Sequence, residues 1–76
     1  MEEKTVIIEN RVAEFRKTLG LSQHRLGKKV GLTRRTIMKY ENKKLYPTLD
    51  MAFKIANTLE KEVLDVFIFD VSKYKD

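Results

Sequence analysis

A chain of 76 residues without cysteine has neither a disulfide framework nor a thiolate metal site, and at this size it reads as one domain burying only about 60% of its unfolded surface. Its net charge of +5 is unevenly spread: residues 22–46 hold Arg25, Lys28, Lys29, Arg34, Arg35, Lys39, Lys43 and Lys44 against Glu41 alone, a local +7, and the rest of the chain is −2. That concentration is the electrostatic footprint of a polyanion-binding surface. The start "MEEKTVII" lacks the pattern of a signal peptide and the longest apolar run, residues 66–69, cannot span a membrane, so a cytoplasmic location is expected.

In chain order, Asn10 is placed to cap a first helix with Val12, Phe15 and Leu19 as its apolar stripe, and Gly20 ends it in the left-handed conformation. Ser22 caps a second helix to about Val30, with Leu26 and Val30 on one face and Gly31 as terminator. Thr33 caps a third, to about Asn42, with Ile37 and Tyr40 inward. Pro47 breaks the chain, and Thr48 caps a fourth helix whose Leu49, Ala52, Phe53, Ala56 and Leu59 form a broad apolar face. A short fifth helix covers residues 63–67. The β-branched "TVII" and the "VFIFDV" near the other end read as strands that pair with each other or across a dimer; the competing reading is a terminal helix running on to Phe69.

The second and third helices carry the chemistry. Two helices that cross in a tight turn need close backbone approach, which Gly27 permits because it has no Cβ, and Gly31 supplies the positive φ of the turn. Thr33 closes the turn as N-cap, so that Arg34, Arg35, Met38 and Lys39 face away from Ile37 and Tyr40. Arginine can bond bidentately to guanine O6 and N7 in a major groove, and Met38 can pack on a thymine methyl. Catalysis has no comparable footing. His24 is the only histidine, Ser22 and His24 do not face each other on a helix, and no glycine-rich phosphate cradle occurs. No catalytic residue, metal ligand or cofactor is expected, and His24, Lys28 and Lys29 read most simply as a solvated helix face.

The segment "LSQHRLGKKVGLTRRTIMKYENKKLYPTLDMAFKIANTLEKEVLDVF" resembles the DNA-binding domain of the phage repressor and Cro-like (XRE-type) helix-turn-helix transcriptional regulators. Their pattern is a helix ending at Gly, then Leu-Ser-Gln, a small residue mid-helix, Gly-apolar-Ser/Thr at the turn, Ile in the next helix, Glu-Asn-Gly-Lys, and Pro before an amphipathic helix. The resemblance spans roughly residues 10–67. It implies an all-α, five-helix, lambda-repressor-like fold, with base reading by Arg34, Arg35 and Lys39 and with Met38 beside them. It also implies a phosphate grip by Gln23, joined by Thr33, Thr36, Asn42, Lys43 and Lys44, and an ion pair between Arg16 and Glu41. The chain departs from the pattern at Lys43, where a Gly is usual, at Glu60 in place of Gly or Asn, and at Glu62 in place of a capping Ser.

The expected protein is a single domain over residues 1–76, with its core at about 10–67 and an extension at 68–76, and with no part left to sense a ligand. It is expected to bind double-stranded DNA and act as a repressor or other transcriptional regulator. One helix in one groove touches few bases, so a homodimer on an inverted repeat is expected, with residues 66–71, including Phe67 and Phe69, as the candidate dimer surface. The alternative is an antitoxin-like module that binds a partner protein as well as DNA.

Overall fold

The computed structural model describes residues 6–70. The chain runs β1 (Val6–Asn10), α1 (Val12–Thr18), α2 (Gln23–Val30), α3 (Arg34–Glu41), α4 (Leu49–Thr58), α5 (Val63–Val66) and β2 (Phe67–Asp70). Strands β1 and β2 pair antiparallel within the chain, Val6 opposite Asp70 and Asn10 opposite Phe67, with an irregularity between Ile7 and Glu9. Thr5 and Val71, also read as strand residues, lie outside the described residues. The fold is therefore five helices closed by a two-stranded sheet.

Short-range side-chain chemistry starts the central helices. Ser22 accepts from the Arg25 amide, Thr33 from that of Thr36 and Thr48 from that of Met51, each satisfying an otherwise orphaned donor of a first turn. Helix α1 begins differently from expectation. Its N-cap position is Arg11, while Asn10 stands one residue earlier, with its Oδ1 accepting from the Val12 amide at 3.2 Å. The Asn10 Nδ2 donates to the Tyr40 carbonyl at 3.0 Å, so the same side chain joins the sheet to the end of α3. Glu62 makes no side-chain cap to α5, which is only four residues long.

Three helices end in one backbone pattern. Gly20, Lys43 and Glu60 all have positive φ, at 72°, 60° and 62°. Each donates to the carbonyl three residues back, and each following amide reaches the carbonyl five back: Leu21 to Arg16 at 3.0 Å, Lys44 to Lys39 at 2.8 Å and Lys61 to Ala56 at 3.0 Å. This is the Schellman arrangement, normally closed by glycine. Lys43 and Glu60 adopt it without glycine, at a steric cost of roughly 1–2 kcal/mol each, because the two hydrogen bonds and the packing of the next segment fix the turn. The departures at these positions leave the loop geometry intact.

The core comprises Val12, Leu26, Val30, Ile37, Tyr40, Ala52, Ile55, Ala56, Leu59, Val66 and Phe67, with Phe15, Leu21, Leu32, Met51 and Val63 packed against it. Burial pushes the Tyr40 phenol above its ordinary pKa. Two expectations need correction. Leu49 and Phe53 are 65% and 54% exposed, and the core takes Ile55 on the other flank of α4 instead. Leu19, expected on the α1 stripe, follows that helix as its exposed C-cap. Phe67 is 1% exposed and Val66 is fully buried, so these residues of the proposed dimer surface are core of their own chain.

Candidate nucleic-acid interface

Helices α2 and α3 meet across a three-residue turn in which Gly31 takes φ 81°. Leu32 donates back to the Gly27 carbonyl at 2.7 Å, drawing the turn against the body of α2. A Cβ on Gly27 would stand 2.6 Å from the Leu32 carbonyl oxygen and 3.2 Å from backbone atoms of Thr33. Both neighbours are backbone, so neither can swing aside. Helix propensity alone favours alanine over glycine by about 1 kcal/mol. Overpacking against a fixed turn costs about 1–3 kcal/mol and should win. Gly27→Ala is expected to lower the midpoint of thermal unfolding by several degrees, since each kcal/mol shifts a domain of this size by roughly 4–8 °C. A midpoint equal to or above that of the parent would show that the turn yields.

The turn sets the direction of α3. Ile37 and Tyr40 enter the core, leaving Arg34, Arg35 and Lys39 exposed, with Met38 half-buried beside them. Arg34 and Arg35 are the first two residues of the helix, and its first turn contains no acid. A helix N-terminus carries about half a positive charge, so cations there are unfavourable by roughly 0.3–1 kcal/mol each. A helix selected only for stability would carry Asp or Glu at these positions. Two arginines instead create an electropositive tip that an anion or an electron-rich base edge would satisfy.

Behind the tip lies a buried polar lock. Arg16 Nε donates to Glu41 Oε2 at 2.7 Å and Arg16 Nη2 to Oε1 at 3.2 Å, while Nη1 donates to the Leu21 carbonyl at 2.8 Å. Gln23 Nε2 donates to Glu41 Oε1 at 3.0 Å. The Arg16 and Glu41 side chains are only 9% and 7% exposed. The network ties α1, the start of α2 and the end of α3 into one unit. Sequence reading assigns Gln23 to phosphate; the structure gives its amide a bond to Glu41, an i, i+18 contact that no local pattern reveals.

The other phosphate candidates are spread around the same unit. Thr33 is exposed, and its hydroxyl lies 3.1 Å from that of half-buried Thr36; Asn42, Lys43 and Lys44 are exposed at the far end of α3. On the outer face of α2, His24, Arg25, Lys28 and Lys29 line an open cleft of about 490 Å³. Among the described residues no group of His, Cys, Asp and Glu could hold a metal ion, and no helix is long and apolar enough to cross a membrane.

A capped helix, a turn closed on glycine and a second capped helix presenting exposed arginines define a helix-turn-helix domain of the nucleic-acid-binding class. The chain belongs to the helix-turn-helix family HTH_3, which it matches over residues 12–66. It is similar to an uncharacterized HTH-type transcriptional regulator of Archaeoglobus fulgidus, 43% identical over 63 residues, covering 83% of this chain and 90% of that protein. A likeness of 43% over 60 residues, 78% of this chain and 87% of the relative, links it to an uncharacterized HTH-type transcriptional regulator of Methanothermobacter thermautotrophicus. Another, of Bacillus subtilis, is 38% identical over 60 residues, 79% of this chain and 91% of that protein.

Proposed function

We propose that this chain is a cytoplasmic, non-enzymatic regulator of transcription that reads an inverted-repeat operator as a homodimer and represses by occluding the promoter. The observation that carries the reading is the pair of exposed arginines at the acid-free N-terminus of α3. With α3 in the major groove, Arg34 and Arg35 bond to guanine edges, Lys39 reads one turn further on, and Met38 packs against a thymine methyl. Thr33, Thr36, Asn42, Lys43 and Lys44 contact phosphates and fix the register, and Gln23, while bonded to Glu41, offers its remaining amide valences to another phosphate.

Selection from random duplex DNA at about physiological salt tests this directly. The expected product is an inverted repeat with half-site centres about one helical turn, 10–10.5 base pairs, or a multiple of it apart. Affinity for non-specific DNA should also fall steeply with salt, by a log–log slope of about −0.9 per phosphate neutralised. Recovery of bulk sequence alone would reject specific reading, because salt dependence by itself accompanies any basic surface.

A further inference from the structure

The homodimer of the proposed function needs a contact surface, and the C-terminal segment does not supply its buried side chains. The apolar face of α4 is wider than the core beneath it. Ala52, Ile55, Ala56 and Leu59 fill the core, and Leu49 and Phe53, one turn apart on the Ala52–Ala56 flank, are left in solvent. Tyr46, just before α4, and Leu64, 68% exposed on α5, add further large apolar side chains on the segments that adjoin it. Helices α4 and α5 pack against each other, so these residues belong to neighbouring elements. Exposed apolar area of this kind on a small domain marks an interaction site.

We infer that the α4 row Leu49–Phe53 is the dimer interface and that its occupant is the same row of a second copy. This rests on the homodimeric reading above. The charges beside the row select this occupant. Asp50 and Lys54 are exposed, one turn apart on the flank of Leu49 and Phe53, and neither forms an ion pair among the described residues. When two copies of α4 meet antiparallel across a two-fold axis, Leu49 of one meets Phe53 of the other, and Asp50 meets Lys54. An isologous contact is then complementary in both shape and charge, as two-fold symmetry requires. The row also follows α3 through the loop at residues 42–48, so a contact there sets the two reading helices beside the axis.

Sedimentation equilibrium of the full chain over a range of concentrations tests the inference. The parent protein should be dimeric at tens of micromolar, and Leu49→Glu/Phe53→Glu should be monomeric with an unchanged helical circular dichroism spectrum. Charge exchange provides a second, gentler probe. Asp50→Lys and Lys54→Asp alone should each weaken the dimer about tenfold by setting like charges opposite each other, and the two together should restore it. A dimer that survives Leu49→Glu/Phe53→Glu, or a charge pair without mutual rescue, would overturn the α4 contact and leave the homodimer reading standing. A parent chain that stays monomeric both free and on inverted-repeat DNA would overturn both.

Discussion

Arg16→Ala should destabilise the domain by about 3–5 kcal/mol, the range found when one member of a buried ion pair is removed. The magnitude follows from burial. An exposed pair contributes below about 1 kcal/mol, but the side chains here are 9% and 7% exposed. Truncation would leave the Glu41 carboxylate with only Gln23 as a donor and would free the Leu21 carbonyl that Arg16 Nη1 now satisfies. Domains of this size have total stabilities near the low end of about 5–15 kcal/mol, so the variant should be largely unfolded at 37 °C. Replacing both partners with apolar residues of similar volume, Arg16→Met with Glu41→Leu, should recover much of the loss, since no buried charge then lacks a partner. Urea denaturation of the four proteins in this cycle measures the coupling. A loss below about 1 kcal/mol for Arg16→Ala would mean that water reaches Glu41 freely and that the lock is a surface pair.

Arg34→Ala and Arg35→Ala should have the opposite signature, large for DNA and small for stability. Each good bidentate arginine–guanine contact discriminates by about 1–3 kcal/mol. A dimer carrying both substitutions loses four such contacts, at least about 4 kcal/mol or nearly a thousandfold, which approaches the whole margin between many operators and random DNA. The folded domain should be as stable as before, or slightly more so, because two cations leave a helix N-terminus. Lys44→Ala, at a proposed phosphate contact, should instead weaken binding to every sequence alike and reduce the salt slope by about one. Titration of operator and random duplexes with each variant separates the two classes. An operator-to-random ratio unchanged in Arg34→Ala/Arg35→Ala would place the readers elsewhere on the surface.

Much of this architecture is legible in the residues because its causes are local. Ser22, Thr33 and Thr48 announce helix starts through a hydroxyl that reaches an amide three residues away. Gly27 and Gly31 announce the turn because other residues lack the space at one and the conformation at the other. The family pattern extends this to the Arg16–Glu41 pairing, though it carries no information on burial. What stays hidden depends on tertiary fit. Periodicity identifies Leu49 and Phe53 as apolar face, yet only packing decides that the core ends at Ala52 and Ala56. The Gln23–Glu41 bond and the Asn10–Tyr40 bond join residues 18 and 30 positions apart, beyond any helical repeat. Lys43 and Glu60 enter the left-handed region because their turns are held from both sides, which overrides their own preference.

The pairing of β1 with β2 makes the described chain a closed ring, with Val6 beside Asp70 and the helices between them. A ring cannot fray from one end alone. Opening β2 uncouples β1, and with β1 goes Asn10, whose amide holds the Tyr40 carbonyl at the end of α3. Because the strands are joined by the longest separation in the fold, they should zip last, after the local α2–α3 unit has formed. Amide exchange should therefore find the sheet opening at lower free energy than the reading helices, and Asn10 makes that opening felt at their far end. The clasp between the two strands is thus a tension on the recognition helix, applied from the side of the molecule that DNA never meets.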